Sequence, residues 1–418
     1  MANTLKFGNG NWATKEDSVL AYNDENNNFK PLPFDFTRAS TATYVDSDGL
    51  IKTSKNGEAR IDYTDSTDGA LLLEPARTNI ILRSQEFDND VSWIKSRATV
   101  TANNVVSPDG TLNADKLIET SDSGLHALSQ NTTVASGTIY TFSIFIKKGS
   151  SSLIQFLFGT NNVSGNPYVN FDVNNGLLQN NGATSANIEN YGNGWYRCCA
   201  TFTTSVTAFT NFISPIQSIS SGRASAFAGN VNNNIYIYGA QLEQGSYPTS
   251  YIPTSGSAVT RVAESCDQNP VTGIIGQTEL TVFYQGIVER LGGSDGHAIA
   301  LSQSANAIGS SRILLYRDSG NGNMYLYIQD STTQFSTPLL VNSNPQINDK
   351  YAIAVKDNDL VVYCNGVKIA ENTSGTIPAT EYICLNKWNN TTYEQSKIKD
   401  VRLYNTRLSN AELATLTT

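Results

Sequence analysis

The segment Asn386–Gln395, NKWNNTTYEQ, gathers residue types that bind sugars. Trp388 and Tyr393 offer flat apolar ring faces, and Asn389 and Asn390 offer amide donors and acceptors. A sugar presents apolar ring faces and hydroxyls together, so the pattern points to glycan contact by Trp388, Asn389, Asn390 and Tyr393. A plainer reading has the tryptophan closing one end of a domain and the asparagines shaping a turn. A second group, Asp109, Asn113 and Asp115 in SPDGTLNAD, carries oxygens that a structural Ca²⁺ could use, against the simpler reading of an Asp-Gly turn. Covalent chemistry finds little footing. The two histidines, His126 and His297, fall in different expected domains and in no metal-binding spacing. No phosphate-cradling or dinucleotide-binding loop is present. Glycoside cleavage needs only two carboxylates, yet no strand carries a Glu-x-Asp-x-x-Glu array. Asp46, Asp48 and Asp357-Asn358-Asp359 fall at expected turns. No catalytic residue is assigned.

These groups need a scaffold, and the composition describes one. The chain has 418 residues, too many for one core. Only 16% of residues are charged, and 20 Tyr and 16 Phe are present, which fits a β-rich exterior protein rather than a disordered one. A formal net charge of −9 argues against nucleic acid as partner. No apolar run is long enough for a membrane span, so no membrane insertion is expected. The start, MANTLKFGNGNW, lacks the pattern of a signal peptide, which predicts synthesis in a cytoplasm. Five cysteines without CxxC spacing read as reduced and structural. A Cys364–Cys384 bridge would need neighbouring strands.

The expected fold class is all-β: an N-terminal region, two antiparallel β-sandwiches and one short C-terminal helix. Residues 1–35 are polar with weak periodicity. They read as a tail or as an extended docking arm anchored by Phe7, Trp12, Leu20, Tyr22 and Phe29. Residues 36–83 hold two hairpins, turning at Asp48-Gly49 and Asp68-Gly69. They are too small for a core of their own, which predicts packing on a partner chain. Residues 84–255 read as a first sandwich, with IYTFSIFIKK (Ile139–Lys148) alternating cleanly. Trp195 in that sandwich reads as core or scaffold. Residues 256–274 read as a linker, in a run broken by Pro248, Pro253 and Gly256. Residues 275–418 read as a second sandwich. Its Asn365-Gly366 pair marks a type I′ hairpin, and Ser409 to Glu412 is a capping box opening the helix.

Three blocks carry a resemblance: FDFTRASTATYVDSDGLI (Phe34–Ile51), GALLLEPARTNIILRSQEF (Gly69–Phe87) and GAQLEQGSYPTSYIPTSGSAVTRVAE (Gly239–Glu264). Together they resemble the scaffold of bacteriophage virion appendage proteins, in which a particle-bound N-terminal part precedes lectin-like sandwiches. The first sandwich resembles carbohydrate-binding-module jelly rolls, and the ending KDVRLYNTRLSNAEL resembles the laminin-G/concanavalin-A-like fold. The resemblance implies a head or tail fibre or decoration protein of the virion, expected as a homotrimer. Its partners would be other virion proteins and a host surface glycan. It also implies that residues 1–35 dock on the particle, that Trp93 packs the domain entrance, and that a structural Ca²⁺ is a candidate. Two alternatives stay open: a virion-associated polysaccharide depolymerase, and a structural spacer without glycan binding.

Overall fold

The structure is a computed structural model. It describes residues 5–23, 28–271, 273–288, 295–304, 311–330, 332–333, 339–386 and 395–418. Among these the chain is almost wholly β, with one α-helix, Asn410–Thr417, and no helix long and apolar enough to cross a membrane. Two compact units form. The central unit joins Asp48–Lys52 with Arg77–Arg261. The terminal unit joins Met1–Ser47, Thr53–Ala76 and Val262–Thr418.

The central unit is a sandwich of two six-stranded antiparallel sheets. One runs Ala98–Val106, Leu112–Glu119, Asn234–Gln244, Ile139–Lys148, Trp195–Thr203, Ser185–Asn190. The other runs Ile94–Ser96, Ala127–Thr133, Ala208–Pro215, Leu153–Phe158, Tyr168–Asp172, Leu177–Asn181. Alternation places every second side chain on one face. Phe142, Ile144 and Ile146 therefore meet Ile154, Phe156, Phe171 and Ile213 between the sheets. The Phe158 and Phe202 rings lie 4.0 Å apart there. Trp93 is buried against Phe87 at 4.9 Å, and its indole N–H donates to Arg83 O. Trp195 is buried as well, with its N–H on Val106 O. The proline-broken stretch after Gln244 is tied down rather than loose. Asn79 Nδ2 donates to Ala240 O (3.0 Å) and Ile252 O (2.8 Å), and Tyr251 is buried.

The terminal unit corrects three expectations. First, the described part of residues 1–35 is not an extended arm. Leu5–Gly8 pairs along Ser396–Tyr404, from Leu5↔Leu403 to Gly8↔Asp400, and Ser18–Asn23 pairs with Asn28–Thr37. Phe7, Val19, Phe34 and Phe36 are fully buried in the core with Tyr284, Leu315 and Leu403. Burying such rings outweighs the polar composition that suggested a tail. Second, the hairpin Arg60–Asp62/Ala70–Leu73 packs on its own chain. Leu71 and Leu73 enter the same core, and Ala70–Leu73 pairs the other half of Ser396–Tyr404. No partner chain is needed to cover it. Third, residues 256–274 are not a linker. Val259–Arg261 pairs with Arg77–Asn79 in the central unit. In the terminal unit, Ser265–Gln268 is an internal strand between Asn28–Thr37 and Tyr382–Leu385.

The two sheets of the terminal unit are completed by the C-terminal strands. Val367–Asn372, Asp359–Cys364, Lys350–Lys356, Glu279–Val288 and Ser396–Tyr404 form one. The other continues from Tyr382–Leu385 through Gly296–Ser302, Ser311–Arg317 and Met324–Asp330 to Leu339–Asn342. Asn365 and Gly366 both have positive φ (48° and 80°), as a type I′ turn requires. Ser409 caps the helix reciprocally with Glu412. Cys364 and Cys384 sit in different sheets, and all five cysteines are buried thiols outside any disulfide.

One ion cluster ties the segments of the terminal unit together. Arg38, Arg60, Glu74 and Glu264 are all nearly fully buried. Glu264 accepts from Arg38 Nη1 (2.6 Å), Arg60 Nε (2.9 Å), Arg60 Nη2 and the Glu74 backbone N–H (2.9 Å). Arg60 Nη1 lies 2.8 Å from Glu74 Oε2 and also reaches Thr43 O. Arg38 spends its other donors on Ser40 O, Ser54 Oγ, Lys55 O and Glu58 O. Two positive and two negative groups cancel. Burial pulls the Arg38 pKa down, incompletely offset by Glu264, with Arg60 adding repulsion. For Arg60, two carboxylates outweigh burial and raise it.

Candidate functional site

The sequence-predicted sugar contacts Trp388, Asn389, Asn390 and Tyr393 lie outside the described residues. They follow Tyr382–Leu385 directly in sequence. Of the predicted docking residues, Phe7 is fully buried. Trp12 is half-buried, with its N–H on Asp68 O (2.9 Å), and Leu20 is half-buried. Tyr22 and Phe29 belong to strands Ser18–Asn23 and Asn28–Thr37. Phe7 is spent on the core and is not available to a second protein.

The Asp109, Asn113 and Asp115 group does not fit a Ca²⁺ shell. Asp109 is surrounded by donors: Ser107 Oγ (2.7 Å), Thr111 N (2.7 Å), Thr111 Oγ1 (2.6 Å), Asn113 Nδ2 (3.0 Å) and Tyr238 O–H (2.8 Å). Hydrogens ring this carboxylate where a cation would sit. Burial alone would raise its pKa, but these bonds hold it below the usual value. Asp115 faces elsewhere and accepts the backbone N–H groups of Phe87 and Asn103 (both 2.9 Å). Burial lifts it to about 6 against those two bonds. Both carboxylates organise loops.

A different surface has the chemistry of a binding site. In the central unit, Ile154, Phe156, Phe158, Val169, Phe171 and Ile213 face the core, so the residues between them face away. The register aligns one row across all six strands: Ile94, Ser129, Phe212, Leu157, Tyr168, Asn181. Phe212 and Tyr168 are half-buried and stand two strands apart, about 10 Å. Ile94 remains 49% exposed. Beside this row lie Asn131 and Thr210, joined by a 2.7 Å hydrogen bond. The face thus offers two ring surfaces about 10 Å apart, with amides and hydroxyls around them. It carries no Asp or Glu at these positions.

The neighbouring row, Ser214, Gln155, Asn170 and Gln179, is partly roofed by the loop 216–224. Two buried amides hold that loop. Gln155 Nε2 donates to Asn170 Oδ1 (2.7 Å) and Gly222 O (3.1 Å), and its Oε1 accepts Ala224 N–H (2.8 Å). Asn170 Nδ2 donates to Ile219 O and Ser221 O, both 2.8 Å. The loop forms a wall along the aromatic row. Sequence reading passed over Gln155 and Asn170. The available signal was an amide placed in each of two otherwise apolar runs, SLIQFLF and YVNFDV.

The terminal unit has an aromatic face too. Tyr316 and Tyr325 stack at 5.9 Å, and the Arg312 guanidinium lies 4.9 Å over Tyr327. Tyr325 and Tyr327 are half-buried, while Tyr316 is nearly covered. Burial raises Tyr316 to about 12, with Asp295 and Asp318 adding to the shift.

No protein family matches the chain, and no curated protein matches it. Solved structures give distant likenesses. The IT-sialidase CBM40 of Ruminococcus gnavus bound to α2,6-sialyllactose is 11% identical, covers 36% of this chain and 92% of its own, and has a TM-score of 0.29. Domain 4 of the GH43 extracellular arabinanase AbnA from Geobacillus stearothermophilus, with arabinotriose, is 16% identical over 41% of this chain and 82% of its own, with a TM-score of 0.31. The heptameric SAP-like pentraxin of Limulus polyphemus is 13% identical over 34% and 70%, with a TM-score of 0.26. Likenesses this distant say nothing of what this chain binds.

Proposed function

We propose that this protein binds glycans through the exposed face of its central sandwich and is displayed on a bacteriophage virion. The row Phe212, Leu157, Tyr168 with its amide and hydroxyl border carries the glycan reading, because ring faces and hydrogen-bonding groups alternate on one rigid sheet. Trp388, Asn389, Asn390 and Tyr393 are a second proposed contact, on sequence chemistry alone. Shallow sites of this kind bind weakly one at a time, and a homotrimer on a multivalent particle would multiply them. The virion reading is supported by the three sequence blocks. Attachment would not run through Phe7, Val19 or Phe34, which are core.

The test is to incubate the full chain with host-cell surface polysaccharide, following retention and new sugar ends. Retention without new ends, lost in Phe212→Ala and Tyr168→Ala, is expected. Retention that survives both substitutions but fails in Trp388→Ala moves the site to the second contact. New sugar ends would make the protein a depolymerase, and no retention at all would leave the spacer reading. Mass spectrometry of purified particles tests the virion reading, which fails if the protein is absent from them.

A further inference from the structure

The binding face of the central unit carries a single charged side chain over its aromatic row, Arg223. Two bonds fix its course. The Ala224 N–H is held on Gln155 Oε1, and Arg223 Nη2 donates to Phe158 O, three residues further along the same strand. The side chain therefore runs along the strand across Leu157, which lies between those points and is only 2% exposed. Its guanidinium ends beside Leu157, whose register neighbours are Phe212 on one strand and Tyr168 on the other. Among the described residues the Phe158 carbonyl is the one hydrogen-bond partner of this guanidinium, and Nε is buried and bonded to nothing.

Among the described residues no acid pairs with this charge. None of the positions in the aromatic row, in the amide row or in the loop 216–224 is Asp or Glu. By register the face next reaches a carboxylate at Asp172, beside Leu153 at the opposite end of the strand, about 15 Å away. Asp172 is engaged by Ser152 Oγ (3.0 Å), Asn174 N (2.9 Å) and Asn175 Nδ2 (2.6 Å). The loop also stores strain beside the arginine. Ala224 has φ +53°, a left-handed conformation that costs a residue with a Cβ and that persists only where surrounding bonds impose it. Here the buried amide pair imposes it, and the result is a guanidinium held out over an uncharged face.

We infer that this face takes acidic sugars, with Arg223 receiving the carboxylate of a uronate-type unit while Phe212 and Tyr168 contact the rings beside it. This rests on the glycan reading above and narrows it to a substrate class. A planar guanidinium matches a carboxylate with paired donors, and a charge-assisted bond is stronger on a face without competing acids. The formal net charge of −9 repels polyanions in general, so retention of an acidic polymer would report a local site rather than bulk attraction.

The experiment is native affinity electrophoresis of the full chain in gels holding a panel of acidic polysaccharides, each paired with its carboxyl-reduced form. The expected result is stronger retardation by at least one acidic polymer than by its reduced partner. Arg223→Gln should weaken binding to that polymer roughly 10- to 100-fold, the range of one charge-assisted bond. Arg223→Lys should recover part of it. Thermal melting of each variant at the wild-type midpoint verifies folding. Equal retardation by both forms, unchanged in Arg223→Gln, overturns the acidic-sugar inference and leaves the glycan reading intact. Retardation by acidic polymer that persists in Arg223→Gln but fails in Tyr325→Ala also overturns it, placing the site on the terminal unit. Retardation by neither form of any polymer, and by none of the host polysaccharides above, sinks both.

Discussion

Replacing Glu264 by Gln should break the terminal unit while sparing the central one. The carboxylate is buried and takes four hydrogen bonds, two from Arg60, one from Arg38 and one from the Glu74 backbone. Glutamine keeps the shape but removes the charge, and its NH₂ group would point donors at guanidinium donors. Two buried arginines would then face the single carboxylate of Glu74. Leaving a buried charge uncompensated costs about 3–5 kcal/mol. At about 2–4 °C per kcal/mol for a domain near this size, the melting midpoint of the terminal unit should fall by roughly 6–20 °C. Calorimetry on the full chain measures the shift. Hydrogen exchange assigns it: protection should drop in Leu5–Gly8 and Ser265–Gln268 while Ile139–Lys148 keeps its own. A loss below about 1 kcal/mol, the value of an exposed pair, would refute the view that this cluster holds the unit together.

Three further outcomes follow from the same structure. A variant lacking residues 1–35 loses Phe7, Val19 and Phe34 from the core, and each buried phenylalanine is worth about 3–5 kcal/mol. Its terminal unit should not fold, and a cooperative terminal-unit transition in that variant would contradict the assignment. Asn170→Ala removes two bonds to the loop 216–224 and one to Gln155, a cost of about 2–3 kcal/mol. Trypsin should then cleave faster after Arg223, and unchanged cleavage would show that the loop is held by something else. His297 is buried, which lowers its pKa to about 4, with Asp295 opposing and Arg312 adding to the shift. The folded state thus resists protonation, so stability present above the ordinary pKa of 6.5 should be lost as pH falls from there toward 4, by about 3 kcal/mol in all. An NMR titration of the imidazole with a midpoint near 6.5 would overturn this.

Local features were legible in the sequence because their causes are local. The Asn365-Gly366 turn needs two positive φ values, and only a few residue types supply them. The capping box needs Ser409 and Glu412 three residues apart. Alternation in IYTFSIFIKK sorted Phe142, Ile144 and Ile146 to the core side before any sheet was placed. The candidate face was harder to see. Alternation says that Gln155 and Asn170 face away from the core, and an outward amide reads as solvent-exposed. Both are fully buried because a loop some 50 to 70 residues later folds back over them. Arg223 had no signal at all, since its environment is made by strands far from it in sequence.

The misreading of the N-terminal region has a physical cause that also explains the three sequence blocks. Phe34 and Phe36 keep a period of two, but Pro31 and Pro33 just before them suggested an extended exit. That segment pairs with Ser18–Asn23 on one side and Ser265–Gln268 on the other, and its alternating phenylalanines reach the core. What decides between arm and strand is a partner lying more than 220 residues away. Arg38 comes from the first block, Glu74 from the second and Glu264 from the third, and Arg60 completes the cluster from the hairpin between the first two. None of these charges can be buried without the others, since each alone would carry an uncompensated desolvation cost of several kcal/mol. The blocks are therefore the pieces of one closure that brings the two ends of the chain into a single sandwich. Their shared presence is explained by folding, and a particle-docking role would have to use the surface that this closure leaves exposed.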